Sequence, residues 1–395
     1  MTGVQKQYED LVQRIDETEV VSLCGELVRF HSVNPPGDEL AIAQFAADHL
    51  REAGLTVEMV PHGPHRASLL ARLKGSGELP ALVYCGHLDV VPVGEAQWEH
   101  DPFGGALVAG ELWGRGSSDM KSGVAAMMTA AKVLARAKLP LRGDLVLAFT
   151  AGEEVDELGA VTLAARPDWG PLQALVISEP TRNGICVAEK GQFWVELSAY
   201  GKAAHGSTPH LGQNAIMMMV ALLSELEQLA VPYVEHPLLG GFTRSVGTIQ
   251  GGVSTNIVPE RCVATLDHRT VPGQDHGTVV SQIQALIADL SRRLPGFRAS
   301  AKVITNLPAV ATPPDHPIVQ RFSGVVTRVT GEPSIPRGVA YATDAASLVP
   351  VLKVPLIICG PGDADLAHQR NERVQVDKLI ESARIFTLAA VELLM

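Results

Sequence analysis

The 395-residue sequence lacks several features that would assign it to a specialised class of protein. No run approaches the roughly 18–20 consecutive apolar residues that a membrane span requires. The N-terminal segment MTGVQKQYEDLVQRIDETEV is polar and has no apolar signal-peptide region. Internal repeats and low-complexity segments are also absent. These absences predict a cytoplasmic protein that has no membrane partner.

Cysteine and clustered positive charge are also scarce. The five cysteines are odd in number, widely spaced and never arranged as CxxC, which argues against a disulfide framework or a thiolate zinc site. We therefore expect reduced, buried thiols. The 32 basic residues are outnumbered by 43 acidic residues, giving a net charge of −11, and they form no basic run. Nucleic acid is therefore excluded as the main partner.

The chain does contain a regular alternation of strand and helix patterns. Its length exceeds the roughly 250–300 residues that a single core usually supports, which predicts two domains. In the first half, the apolar strands ASLLARL, ALVYCGH, DLVLAFTAG and ALVISEP alternate with helical patterns such as SGVAAMMTAAKVLARAK. This order predicts an α/β fold in which helices cover a mostly parallel sheet.

The pattern changes near residue 191. The segment QFWVELSAYG alternates apolar and polar residues, as a half-exposed antiparallel strand does. The elements that follow have the order β-α-β-β-α-β, which resembles an inserted ferredoxin-like α+β domain. We therefore predict a catalytic domain over 1–190 and 306–395, and an inserted lid or dimerisation domain over 191–305.

Several predicted strands of the first half end in a polar residue, including His87, Glu153 and Glu179. Parallel strands bring such residues together at the carboxyl edge of the sheet, and imidazole and carboxylate groups suit zinc. A single histidine at a strand end is more often hydrogen-bonded than metal-bound. The combination favours a metal site because five motifs follow in order: GHLDVVP, GRGSSDMKSG, AGEEVDELGA, SEPT and GPGDADLAHQRNE.

In these five motifs the sequence resembles the M20 family of dinuclear zinc amidohydrolases and peptidases. The resemblance covers nearly the whole chain. The resemblance implies that His87 and Glu179 bind one zinc ion, that Glu154 and His368 bind a second, and that Asp119 bridges both. It also implies that Asp89 supports His87 from behind, and that the peptide bond after Asp119 is cis.

In the chemistry implied by this resemblance, a metal-bridged hydroxide attacks the substrate. Two dications about 3.5–4 Å apart share the attacking oxygen and the developing oxyanion. Glu153 then acts as the general base and returns the proton to the departing amine. The same ligands also admit cobalt or manganese.

The resemblance assigns three further residues to the substrate, and a fourth is a candidate from its local sequence. His205 helps to bind the reacting carbonyl, and in dimeric relatives it reaches the neighbouring subunit, so a homodimer is expected. Asn256 and Arg269 match family positions that bind the substrate, and an arginine can bind a carboxylate through two hydrogen bonds. Gly360 lies in a tight CGPGD turn whose backbone could face the substrate or could simply connect two elements.

These features predict hydrolysis of the amide bond of an N-acyl amino acid, as in acetylornithine deacetylases or desuccinylases. In this family, glutamate at position 179 is typical of deacylases, whereas peptidase branches tend to have aspartate there. A dipeptidase or carboxypeptidase acting on short peptides would use the same metal ligands and remains an alternative. A catalytically silent binding protein is a third hypothesis, but it predicts a damaged set of ligands, whereas all are present.

Overall fold

The structure, a computed structural model, describes residues 9–395. The chain divides into two compact units. One is built from residues 9–188 together with 311–338 and 343–395, and the other from 189–310 and 339–342. None of the helices formed by residues 9–395 combines the length and the apolar character that a membrane span needs.

The regular elements are numbered in chain order. The helices are α1 (Glu17–Val28), α2 (Leu40–Glu52), α3 (Lys121–Ala137), α4 (Leu158–Ala164), α5 (Ala215–Gln228), α6 (His276–Arg293), α7 (Pro317–Thr330), α8 (Ala345–Leu352) and α9 (Val376–Leu394). The strands are β1 (Thr56–Pro61), β2 (Ala67–Leu73), β3 (Ala81–His87), β4 (Ala106–Val108), β5 (Glu111–Trp113), β6 (Leu145–Thr150), β7 (Leu172–Ile177), β8 (Cys186–Glu189), β9 (Gly191–Tyr200), β10 (Thr243–Gly251), β11 (Arg261–Thr270), β12 (Ala299–Leu307), β13 (Val310–Ala311), β14 (Arg337–Val339), β15 (Leu356–Ile358) and β16 (Arg373–Gln375).

A nine-stranded sheet forms the centre of the first unit. Its strand order is β1-β2-β6-β3-β7-β15-β8-β13, with β14 beside β8. The four neighbours β6, β3, β7 and β15 run parallel, whereas β1 and β2 are antiparallel additions at one side. The predicted helix-covered, mostly parallel sheet is therefore confirmed. A small antiparallel sheet of β16, β5 and β4 is separate from it.

The central strands are buried because their residues are apolar toward both faces of the sheet. Every residue of β3 is buried, and the hydroxyl of Tyr84 donates a hydrogen bond to the carbonyl of Phe386 in α9 at 2.7 Å. Helix α3 is rich in alanine and methionine and is buried from Lys121 to Leu134. The five cysteines are free and buried, as predicted, while their cellular compartment stays a prediction.

The second unit contains a four-stranded antiparallel sheet with the order β10-β11-β9-β12. Its elements follow the predicted β-α-β-β-α-β order, and the strand order is that of a ferredoxin-like fold. In β9 the residues Phe193, Val195 and Leu197 are buried, while the residues between them are partly exposed. They pack with α5 and α6 in one core, because the alternation puts one face of the strand toward the helices.

Candidate metal centre

The parallel strands of the first unit bring five of the motifs' acidic and imidazole side chains to one edge of the sheet. Strand β3 ends at His87, and β6 ends just before the turn that carries Glu153 and Glu154. Glu179 follows β7, and His368 lies in the loop after β15. These four strands are neighbours in the sheet, so their carboxyl ends open onto the same region.

Asp119, which precedes helix α3, completes the cluster. One carboxylate oxygen of Asp119 lies 3.0 Å from Nε2 of His87, and the other lies 3.5 Å from Nε2 of His368. The first histidine is also 3.7 Å from Glu179 and 4.0 Å from Glu153, and the second is 3.0 Å from Glu154. The two imidazoles therefore approach opposite oxygens of one carboxylate, and the glutamates near one imidazole differ from the glutamate near the other. The Asp119–Met120 peptide bond is cis.

Crowding of buried carboxylates dominates the electrostatics of this cluster. Burial, reinforced by the charges of the neighbouring acids, raises the pKa of Glu153 and of Glu179 well above the usual range. Burial acts to lower the pKa of His87, but the hydrogen bond to Asp119 and the charges of Glu153 and Glu179 raise it well above the usual value. The cluster therefore favours the binding of positive charge.

The donor set fits a divalent metal ion. Donor atoms of His87, Asp119 and Glu154 all lie within 4.8 Å of one another. In the part of the chain that the structure describes, no lysine or arginine forms an ion pair with Asp119, Glu153, Glu154 or Glu179. Oxygen Oε1 of Glu154 is buried and has no hydrogen-bond partner among the described residues. Such an acceptor is costly to bury unless a cation or donor satisfies it.

Asp89 contacts His87 through its backbone carbonyl rather than through its side chain. The Nδ1 atom of His87 lies 2.9 Å from the backbone carbonyl of Asp89, whereas the Asp89 carboxylate is 3.7 Å away. That carboxylate instead accepts hydrogen bonds from the backbone N–H groups of Gly152, Glu153 and Glu154 at 3.0–3.2 Å. The carbonyl thus directs Nε2 of His87 toward the cluster, while the carboxylate fixes the turn that carries the two glutamates.

The backbone N–H and carbonyl of Gly360 are both engaged in hydrogen bonds within the protein. Its N–H donates to Oγ1 of Thr181, and its carbonyl accepts from the N–H groups of Thr181 and Asn183. A Cβ atom at this position would lie 2.2 Å from the carbonyl oxygen of Ser178 and 2.6 Å from that of Glu179. The missing side chain therefore permits a close approach to the strand end that carries Glu179, and a substrate contact stays a prediction.

The other predicted substrate residues lie in the second unit. Nδ1 of His205 accepts a hydrogen bond from the backbone N–H of Ser207 at 3.1 Å, so the proton of a neutral ring is on Nε2. The adjacent Gly206 donates to the carbonyl of Asn256 at 2.7 Å, which brings these two predicted residues together. Arg269 hydrogen-bonds to Asp267 and to Gln192 on the same sheet.

Two charged residues were not assigned by the sequence motifs, although both lie inside them. Arg115 belongs to GRGSSDMKSG, and Glu372 is the last residue of GPGDADLAHQRNE. Both are buried, and Glu372 accepts hydrogen bonds from the backbone beside Asp119. Their places inside two motifs are the signal that the sequence offers, but the sequence shows neither that these residues are buried nor which charges meet.

Comparison with known proteins places this cluster in a wider context. The model of the Peptidase_M20 family, described as peptidase family M20/M25/M40, matches residues 83–392. The chain is 28% identical over 400 residues to a protein of Staphylococcus epidermidis named "Probable succinyl-diaminopimelate desuccinylase", covering 94% of this chain and 97% of the relative. It is 31% identical over 360 residues to the acetylornithine deacetylase of Myxococcus xanthus, covering 88% and 90%.

Solved structures agree on the fold. The M20 family metallo-carboxypeptidase Sso-CP2 from Sulfolobus solfataricus superposes with a TM-score of 0.79 at 20% identity, covering 95% of this chain and 99% of that one. This identity is low, so the likeness supports the fold and not a substrate. Because the family model spans most of the sequence and includes every acidic and imidazole residue of the cluster, the chain belongs to peptidase family M20/M25/M40 and is a hydrolase of amide bonds.

Proposed function

We propose that the chain is a metal-dependent hydrolase of N-acyl amino acids. The observation that carries the metal assignment is the approach of His87 and His368 to opposite oxygens of Asp119. His87, Glu179 and one oxygen of Asp119 would hold one divalent ion, and His368, Glu154 and the other oxygen would hold a second. Nitrogen and carboxylate donors suit zinc, and cobalt or manganese fit the same donors.

Glu153 has the environment that a general base needs. A bound dication supplies charge that acidifies water and polarises the scissile carbonyl. Glu153 adjoins this region, is mostly buried, and is not required as a ligand in the arrangement above. Its carboxylate would accept the proton of the attacking water and then transfer it to the amine nitrogen as the amide bond breaks. The turn held by Asp89 keeps Glu153 beside Glu154 during this transfer.

The acyl amino acid assignment is supported by the two curated relatives. One is named as a probable succinyl-diaminopimelate desuccinylase and the other as an acetylornithine deacetylase, and both align over most of the chain. His205 can donate a hydrogen bond from Nε2 to the carbonyl oxygen of a substrate, because its contacts with Ser207 are made at Nδ1. Arg269 fits a carboxylate of the substrate, and Asn256 and Gly360 remain predicted contacts.

The substrate class can be tested by amine release from the metal-loaded protein. We expect N-acetyl- and N-succinyl-amino acids to be hydrolysed with a higher kcat/KM than dipeptides of the same amino acids. Removal of metal with a chelator should abolish the activity, and added zinc should restore it. Cleavage of dipeptides alone would support the dipeptidase or carboxypeptidase alternative. Absence of both metal and activity would support a silent binding protein.

We further propose a homodimer formed through the second unit. Strand β10 lies at one edge of its sheet, and nearly all of its residues are exposed. Ile249 on this strand is 51% exposed, and Met217 on α5 is 61% exposed. The start of α5 lies beside the end of β10, since Ile216 is close to Gly251. Exposed apolar side chains on an unpaired edge strand are typical of a surface that pairs with a second copy.

An Ile249→Glu substitution tests this surface. We expect the wild-type chain to have the mass of two chains in light scattering after size exclusion, and the variant to shift toward one chain, because a charge would be buried at the interface. Val234→Glu is the matched control, since Val234 is exposed in the same unit but lies outside β10 and α5. A monomeric wild-type protein at micromolar concentration would contradict the dimer.

A further inference from the structure

We propose that the buried ion pair between Arg115 and Glu372 is a positioning device that sets the spacing of the Asp119 and His368 loops. The inference rests on the proposed metal site, because it concerns two of its predicted ligands. Arg115 lies four residues before Asp119, and Glu372 lies four residues after His368. Each charged residue therefore belongs to one of the two ligand loops and pairs with its counterpart in the other.

The Glu372 side chain acts on the backbone at Asp119. One carboxylate oxygen accepts hydrogen bonds from the N–H groups of Ser118 and Asp119 at 2.9 and 3.0 Å. The other oxygen accepts from Nη1 of Arg115 at 2.5 Å. Glu372 is fully buried, so these amides have no water to replace it as an acceptor. A shift of the Glu372 carboxylate would therefore move the backbone that aims the Asp119 side chain.

The Arg115 side chain extends the same network to the other loop. Its Nη2 atom donates toward the carbonyl oxygens of Pro92 at 3.3 Å and His368 at 3.5 Å. The guanidinium lies over the Trp98 ring, 5.2 Å from the ring centroid. Its planar fork reaches three acceptors in two segments, the Pro92 carbonyl and the loop of His368 and Glu372, which a single lysine ammonium cannot do in the same geometry. The pair thus joins the backbone at Asp119 to the backbone at His368.

A second contact runs between the same two loops. The hydroxyl of Ser118 donates to the carbonyl of Asp363 at 2.9 Å, and the N–H of Asp363 donates to that hydroxyl at 2.6 Å. His368 itself has a left-handed backbone with φ of 61° and a side chain that is 53% exposed. Packing therefore restrains the His368 side chain little, and the network at its backbone is one of the contacts that hold this loop.

Arg115→Lys and Glu372→Gln test the proposal. Both variants keep side-chain size, but lysine removes the fork and glutamine leaves Arg115 without a buried counter-charge. Zn²⁺ binding to metal-free protein would be measured by competition with a chelating indicator, at a temperature where circular dichroism shows each variant folded. We expect zinc affinity to fall about 10–100-fold in both variants, the range found when groups that orient metal ligands are removed.

Asp144→Asn is the matched control. Asp144 also pairs with an arginine, Arg72, and accepts a backbone N–H, that of Gly75, but it lies at the start of β6, away from the cluster end of that strand. We expect its zinc affinity to equal that of the wild type. Wild-type affinity in folded Arg115→Lys and Glu372→Gln would overturn the proposal. Failure of both variants to fold would also overturn it, because the pair would then stabilise the whole unit. A wild-type chain that binds no zinc would instead refute the proposed metal site.

Discussion

Glu153→Gln is expected to lower kcat by about 10²–10⁴-fold while leaving the metal content unchanged. Glutamine has nearly the same shape as glutamate but cannot accept a proton at neutral pH. The carboxylate of Glu153 is 4.0 Å from Nε2 of His87, whereas those of Asp119 and Glu179 are closer to this atom. Replacing Glu153 therefore leaves the proposed metal ligands in place. Steady-state kinetics on an N-acyl amino acid and metal analysis of dialysed protein would measure the two effects separately.

The neighbouring residue provides the control for this result. One oxygen of Glu154 is 3.0 Å from Nε2 of His368, and the other is buried with no hydrogen-bond partner within residues 9–395. Glu154→Gln should therefore reduce the metal content as well as the rate. Two variants on one turn would then separate proton transfer from metal binding. Near-normal turnover by Glu153→Gln would reject Glu153 as the general base.

Asp119→Asn is expected to lose both metal ions and to lower kcat/KM by about three orders of magnitude or more. The carboxylate of Asp119 presents one oxygen to each histidine, whereas an amide has a single oxygen and turns an NH₂ group toward one of them. Metal ions contribute several kcal/mol of transition-state stabilisation, and each 1.36 kcal/mol corresponds to a factor of ten in rate. Elemental analysis and kinetics would measure the loss.

Two comparisons sharpen this prediction. His368→Gln should remove one metal equivalent because it changes only one of the two proposed sites. Asp365→Asn serves as the matched control, since Asp365 lies on the His368 loop but its side chain is 87% exposed and, among residues 9–395, forms an ion pair only with Arg182 at 3.5 Å. An Asp119→Asn protein that retained two tightly bound metal ions would show that this carboxylate does not bridge them.

The sequence predicted the mostly parallel sheet and the clustering of His87, Glu153 and Glu179 for a simple physical reason. Apolar runs that end in a polar residue become buried strands, and parallel neighbours bring those ends to one edge. The alternation in QFWVELSAYG likewise predicted which face of β9 is buried. The short strand β1 and the helix α9 had no comparable signal. Helix α9 is buried on most sides, so polar residues do not mark its exposed face.

The contacts of individual atoms could not be predicted from the sequence. The resemblance implied that Asp89 supports His87 from behind but not through which atom, and in the structure the Asp89 carbonyl makes the contact. The carboxylate is occupied by backbone N–H groups more than sixty residues later in the chain. Gly360 is similar, because its closeness to Ser178 depends on the packing of β15 against β7. Hydrogen bonds between distant segments leave no periodic pattern in the sequence.

The sequence by itself determined which donor residues are available and which strand each of them follows. Both are local properties of the chain, because an apolar run forms a buried strand and a polar residue ends it. Only the tertiary structure decided which oxygen of Asp119 faces which histidine and which buried charges meet. Arg115 and Glu372 are separated by 257 positions, and they pair because folding removes both from water and leaves each as the other's nearest counter-charge.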